Sequence, residues 1–235
     1  MNPVLVQTTI ATLAAYFGGS LGALAGNVMA RHLRIAIFLS MAVLLSVTVF
    51  DILPDAFKLL SLWLFVASVC SGVLLFLLVT HFIGPLCPAC VSGSSHGATH
   101  AAPLYVILML VALHSTFDGI ALAVSGSING KIDPVVLSGI CVHKIPEGIA
   151  LALLMIGSGM QPRAAFFGVL AVEFTTEVGG LIGIPLVHSA SSEVLGIVFA
   201  HVAGGFLYLI GSAVLSNLKS ASPLGKSVGE HSDAV

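Results

Sequence analysis

Two stretches of the sequence each place an imidazole four residues before a carboxylate. The first begins at His114 and reaches Asp118, and the second begins at His143 and reaches Glu147, offset by 29 residues. Both continue Gly-Ile-Ala-Leu-Ala, so the shared pattern is H-x-x-x-[DE]-G-I-A-L-A. Residues four apart lie on one face of a helix. Imidazole and carboxylate together suit Zn²⁺ and other divalent first-row metals, so the repeat predicts a four-ligand metal site.

The composition identifies the environment in which this site must form. Of 235 residues, 57% are hydrophobic and only 8% are charged, and the mean hydropathy is +1.11. Soluble chains carry about 25% charged residues. The sequence therefore excludes a soluble enzyme, a disordered chain and a nucleic-acid binder that works through a basic face. It predicts a polytopic membrane protein in the lipid bilayer, with no nucleic-acid partner.

Seven apolar runs are long enough to cross a bilayer, which requires about 20 residues each. Continuous runs such as Leu104–Leu113 do not alternate as barrel strands do, so the sequence predicts an all-α transmembrane helix bundle. The expected spans are roughly 5–28, 35–53, 62–84, 104–125, 135–157, 164–187 and 194–216. The predicted organisation is helices one to three in 1–84, a Cys/His-rich loop in 85–103, helices four to seven with the site in 104–216, and a polar tail in 217–235.

The few basic residues predict the orientation, because cytoplasmic loops carry an excess of Lys and Arg. Lys58 and Lys131 then fall in outside loops. The inside set is larger, and contains Arg31, Arg34, Arg163, Lys219 and Lys226. This arrangement places the N-terminus outside and both the 85–103 loop and the C-terminus in the cytosol.

Ionisable residues within spans are costly in hydrocarbon, so each is a functional hypothesis. Span six adds a third pair with spacing of four, Glu173 and Glu177. His201 lies in span seven and could line the ion path. Asp51 and Asp55 stand at the outer end of span two, where they could attract cations or simply form a solvated helix end. Span five also contains Lys144, which needs a counter-ion in the membrane. Pro146 in the same span removes a helix hydrogen bond, and transporters often place ion sites at such interruptions.

The loop between spans three and four carries a second set of ligand-type residues. Cys87 and Cys90 form a CxxC motif, and His96 and His100 follow with an H-x-x-x-H spacing. These spacings are plausible for zinc and favour a cytosolic acceptor or sensor. The alternative is a redox motif of a membrane thiol oxidoreductase, although the predicted cytosolic side is reducing. A membrane sensor that binds metal without transporting it also stays open.

The two core motifs resemble the signatures of the ZIP (Zrt/Irt-like) family of divalent metal transporters. In that family a His in span four is followed four residues later by an acid and then by Gly, as at His114 and Asp118. Span five of the family reads His-x-x-Pro-Glu-Gly, as this sequence does from His143. The stretch Asp51-Ile-Leu-Pro-Asp55 resembles the family's D-x-L-P-x-A element. The resemblance runs from about residue 31 to 216. The His-Lys form of span five resembles a subgroup of the family.

The resemblance implies a primary site of the four motif residues and, in many members, an adjacent second site. The second-site positions here are Ser115, Lys144, Glu147 and Glu177. Lys144 replaces an acid or amide and Ser115 replaces the common Asn, so we expect one metal site, with the ammonium occupying the second position. Lys144 would then bridge to Glu147 or Glu177.

The resemblance also implies the activity. Members import divalent cations into the cytosol, so Zn²⁺ is expected as the transported substrate across the cell membrane. The same ligands accept Fe²⁺, Mn²⁺, Co²⁺ and Cd²⁺. No catalytic residue and no bound cofactor are expected, and the resemblance is compatible with a homodimer. The family usually has eight spans, one more than the sequence predicts here.

Overall fold

The computed structural model describes residues 2–82, 104–128 and 133–221, and all regular structure in those ranges is helical. Seven segments are long and apolar enough to cross a membrane, which confirms the predicted all-α bundle of seven spans in the described part of the chain. The helices are α1 (Pro3–Leu24), α2 (Gly26–Val47), a π-helical turn (Thr48–Ile52), α3 (Leu53–Leu59), α4 (Leu62–Phe82), α5 (Leu104–Ile128), α6 (Pro134–Gly157), α7 (Pro162–Glu173), α8 (Thr175–Ser189) and α9 (Ser192–Ala221).

The start of α6 is fixed by local capping. Asp133 precedes the helix, and its Oδ1 accepts hydrogen bonds from the backbone N–H groups of Val135 and Val136 at 3.0 and 3.2 Å. Pro134 occupies the first helical turn, where its missing N–H costs nothing. These bonds satisfy two of the free donors at the helix N-terminus and so set the register of the helix that carries the second motif.

Two spans are irregular, and neither irregularity lies where the sequence suggested it. Span five continues as one helix through Pro146. Span six instead breaks at Phe174, between the end of α7 at Glu173 and the start of α8 at Thr175. Span two contains the π-helical turn, which includes Asp51. The break in span six has no Pro or Gly beside it, so it left no signal in the sequence.

The two motif helices meet at the site, but each packs mainly against another helix. The α6 helix lies principally on α1 and α2, and α5 lies on α8. The glycine after each motif acid makes this possible. A Cβ at Gly119 would collide with the carbonyl of Thr176 in α8, and a Cβ at Gly148 would collide with the carbonyl of Ala15 in α1. Such backbone contact is characteristic of small residues between membrane helices.

The outer surface of the bundle is apolar. Trp63 and Tyr105 are 85% and 70% exposed at the beginnings of α4 and α5, as expected for aromatic side chains near a membrane interface. Phe50 is 79% exposed on the flank of span two. Polar side chains lie inside, including Gln7, Thr8, Ser115, Asp118, His143, Lys144, Glu173 and Thr176. An apolar exterior around a polar interior is the arrangement that a lipid solvent requires.

Candidate metal centre

The two motifs form a single cluster in the middle of the bundle. His114 and Asp118 come from α5, and His143 and Glu147 come from α6. One ligand atom from each of the four lies within 4.8 Å of the others. At 1.5 Å per residue these side chains are about 15–20 Å from the loop that joins the two helices, roughly half a bilayer. The four residues that the repeat predicted as ligands are therefore close together.

The spacing of the four atoms suits a small divalent ion. His143 Nε2 lies 3.4 Å from Asp118 Oδ2 and 3.9 Å from Glu147 Oε2. His114 Nε2 lies 3.7 and 4.0 Å from the same two oxygens. Four ligands at about 2.0–2.1 Å from a tetrahedral Zn²⁺ are separated by roughly 3.3 Å. Small side-chain rotations would therefore bring all four atoms within bonding distance of one ion.

The imidazole of His143 is oriented by its own helix. Its Nδ1 lies 3.1 Å from the carbonyl oxygen of Gly139. A carbonyl only accepts, so Nδ1 donates, and in the neutral ring the lone pair belongs to Nε2, the atom facing the carboxylates. Phe206 of α9 packs edge-on against this ring and that of His114, at centroid distances of 6.3 and 6.2 Å. Sequence reasoning found neither contact, because one uses a backbone atom and the other an ordinary apolar residue.

Lys144 lies beside this cluster and is completely buried. Its Nζ is 2.9 Å from Asp118 Oδ2 and 3.2 Å from Glu147 Oε2. It is also 2.9 Å from Glu173 Oε2 and 2.7 Å from Ser115 Oγ. A buried ammonium is stable only when it is paired and hydrogen-bonded. The expected contact with Glu147 is present, and the remaining contacts hold the lysine between three carboxylates.

The two acids of span six have different surroundings. Glu173 is fully buried, contacts Lys144, and accepts a hydrogen bond from Ser115 at 3.2 Å. Glu177 accepts a hydrogen bond from Thr8 of α1 at 2.6 Å. The carboxylate that contacts Lys144 from span six is therefore that of Glu173, where the sequence had suggested Glu177. The predicted role of Glu177 as a metal ligand stays a prediction.

The remaining predicted residues lie away from the cluster. His201 Nδ1 is 2.8 Å from Ser71 Oγ, between α9 and α4. Asp51 and Asp55 lie close to Asp133, with one carboxylate oxygen of each within 4.8 Å of the others. Asp55 also pairs with Lys58 at 2.7 Å. Sequence reasoning missed Asp133, which belongs to a loop 78 residues further along than Asp55.

The loop ligands lie outside the described residues. This applies to Cys87, Cys90, His96 and His100. Within the described ranges, Cys70 and Cys141 are free thiols on different helices.

The fold is that of a multi-pass membrane protein, and its buried cluster of four residues could hold a metal ion. The model of the ZIP zinc transporter family matches residues 88–231, more than half of the chain, and includes both copies of the repeat. The protein belongs to this family, whose members are transporters rather than enzymes. The matched region begins after the Asp51–Asp55 element. No curated protein matches the chain.

Proposed function

We propose that this protein transports Zn²⁺ into the cytosol, and that His114, Asp118, His143 and Glu147 bind the ion on its way. The observation that carries the proposal is the convergence of two imidazole nitrogens and two carboxylate oxygens from separate helices, with nitrogen–oxygen distances of 3.4–4.0 Å. Ionisable groups at this depth are expensive and mark ion pathways in transporters.

The charges of the cluster support a divalent ion. Asp118 and Glu147 carry two negative charges when ionised, which balance one divalent cation. Lys144 and Glu173 form a second balanced pair beside them, 2.9 Å apart. With two neutral imidazoles, the loaded site is formally uncharged. In a low-dielectric interior this balance favours occupancy by one divalent ion over a monovalent one.

The proposed path begins at the outer face. In the orientation derived from the basic residues, Asp51, Asp55 and Asp133 lie at the outer ends of spans two and five, where their charges would concentrate cations. In the same orientation His201 falls in the outer half of span seven, on α9, where it would line the path. The ion then binds between α5 and α6 and leaves towards the cytosol and the 85–103 loop, whose Cys and His residues would act as its first acceptors.

Zinc is proposed first among the metals that these ligands accept. A set of two imidazoles and two carboxylates at tetrahedral spacing is common for Zn²⁺. The same donors bind Fe²⁺, Mn²⁺, Co²⁺ and Cd²⁺, and the order of affinities does not by itself choose between these metals. Competition experiments should therefore find Co²⁺ and Cd²⁺ displacing Zn²⁺, whereas Ca²⁺ and Mg²⁺, which prefer oxygen ligands, should not.

Binding of ⁶⁵Zn²⁺ to the purified full-length protein in detergent tests the site before transport is measured. We expect one ion per chain, and at least about tenfold weaker binding in Glu147→Gln, because that change removes a charged ligand. His188→Ala is a matched control, because His188 is exposed at the end of α8 and its Nδ1 donates a hydrogen bond to the carbonyl of Ile184 in its own helix. Wild-type affinity in Glu147→Gln would refute the proposed ligand set.

A further inference from the structure

Lys144 has more acceptors than it can use at once. An ammonium group has three N–H donors. Four acceptor oxygens surround its Nζ, from Asp118, Glu147, Glu173 and Ser115, at 2.7–3.2 Å. All three donors can therefore be satisfied while one acceptor is left free. The ammonium can shift among these oxygens without losing all its hydrogen bonds, which would be very costly for a buried charge.

The four acceptors divide into two sets. Asp118 Oδ2 and Glu147 Oε2 belong to the cluster that would bind the ion. Glu173 Oε2 and Ser115 Oγ do not, and they are themselves linked by a hydrogen bond of 3.2 Å. Lys144 thus touches both carboxylate ligands on one side and a separate acid–hydroxyl pair on the other. These three side chains, Lys144, Glu173 and Ser115, are fully buried, so water does not compete for their contacts.

We propose that the Lys144 ammonium and the transported ion compete for the same two carboxylate oxygens, and that Glu173 is the positioning residue that holds the ammonium aside when the ion is bound. This inference rests on the proposed function, since it assumes that Asp118 and Glu147 are ligands. Two cations that share an oxygen repel each other strongly in a low-dielectric interior. Arrival of the ion drives the ammonium towards Glu173 and Ser115, which it already contacts.

The competition has a use in transport. A site of two imidazoles and two carboxylates with no neighbouring cation would bind the ion tightly and release it slowly. Lys144 lowers the affinity and supplies a replacement cation for the carboxylates as the ion leaves. Glu173 acts in the opposite direction, because it stabilises the ammonium away from the ligands. Transport speed therefore depends on the balance between the two residues.

Equilibrium binding of ⁶⁵Zn²⁺ to purified variants tests this directly. We expect Lys144→Met to lower the Kd by about tenfold and Glu173→Gln to raise it by a similar factor, within the range of couplings between contacting residues. The double variant Lys144→Met/Glu173→Gln should have the Kd of Lys144→Met, because Glu173 acts only through the ammonium. Each single variant leaves one member of the buried Lys144–Glu173 pair without its partner, which could prevent folding. The double variant removes both charges and avoids this problem.

Glu177→Gln is the matched control, because it removes the same charge from span six where Glu177 contacts Thr8 instead of Lys144. Its effect on the Kd should be the same with and without Lys144→Met. Weaker binding in Lys144→Met would overturn the inference, since the lysine would then support the site. So would an undiminished effect of Glu173→Gln in the Lys144→Met background.

Uptake into proteoliposomes separates this inference from the proposed function. In Lys144→Met we expect a lower KM together with a lower maximal rate, as tight binding slows release. If the variants bind as expected and no protein, wild type included, transports Zn²⁺, the proposed function fails and the competition stands. If Glu147→Gln binds Zn²⁺ as the wild type does, the ligand set fails and the competition falls with it.

Discussion

His143 and Asp118 belong to different helices, yet the imidazole Nε2 and the carboxylate Oδ2 lie 3.4 Å apart. This contact joins the two copies of the repeat into one site. The same Asp118 oxygen also lies 2.9 Å from the Lys144 ammonium. His143 is oriented by the carbonyl of Gly139, which accepts a hydrogen bond from its Nδ1. Ligands that are oriented by second contacts bind metal with defined geometry.

Cobalt should report the geometry of the site. Co²⁺ accepts the same ligands as Zn²⁺, and its visible absorption is strong in tetrahedral and weak in octahedral coordination. We expect the full-length protein to develop a tetrahedral Co²⁺ spectrum that Zn²⁺ abolishes. His114→Ala should lose this spectrum. His32→Ala should keep it, because His32 is exposed on α2 and does not belong to the cluster. An octahedral spectrum in the wild type would argue against a closed four-ligand site.

Gly119 should be intolerant of any side chain. The methyl group of Gly119→Ala would collide with the carbonyl of Thr176, and overpacking of this kind costs about 1–3 kcal/mol or more. We expect a lower melting temperature in detergent and loss of metal binding, because α5 would move away from α8. Gly211→Ala is the control, since nothing lies within 4 Å of where its Cβ would be. Equal stability of the two variants would show that the close packing is not required.

The acidic group at the proposed entrance should act through long-range attraction. Asp51→Asn should raise the KM for Zn²⁺ uptake by about two- to tenfold at low ionic strength. The effect should shrink in high salt, where long-range attraction between charges is screened. Glu193→Gln changes the same charge on the same proposed face, at the start of α9, and should have a smaller effect. A KM effect of Asp51→Asn that is independent of salt would indicate direct coordination.

The cysteines of the loop separate transport from redox chemistry. We expect Cys87→Ser combined with Cys90→Ser to retain Zn²⁺ uptake and to alter its dependence on cytosolic zinc, because the intramembrane ligands are untouched. Uptake by proteoliposomes loaded with defined zinc concentrations would measure both effects. Two results together would favour the thiol oxidoreductase: complete loss of uptake in the double variant, and wild-type uptake that depends on reducing or oxidising conditions.

The repeat made the central cluster predictable. Each motif places its two ligand-type residues on one helix face, so the four converge where the two helices meet. Their position within long apolar runs gave the depth of the cluster in the bilayer. The number of spans followed from the length of those runs. Both inferences use periodicity and hydropathy, which reside in the sequence itself.

The partners of the cluster could not be predicted, since they depend on packing. Glu173 and Glu177 are one helical turn apart and chemically identical in sequence. The break at Phe174 separates them onto two helices, and only Glu173 contacts Lys144. Phe206 is one of 13 phenylalanines and has no distinguishing neighbour in the sequence. Asp133 could not be predicted as a neighbour of Asp51, because their proximity depends on how spans two and five align.

Uptake of ⁶⁵Zn²⁺ into proteoliposomes, wild type against His143→Ala, tests the central claim most directly. Metal ligands must be deprotonated, so the assay should be run with and without a pH gradient. We predict saturable uptake by the wild type and its loss in His143→Ala, with the mutant protein still folded as judged by its melting temperature. Equal uptake by folded mutant and wild type would contradict the account, as would a well-folded wild type that binds Zn²⁺ and carries none.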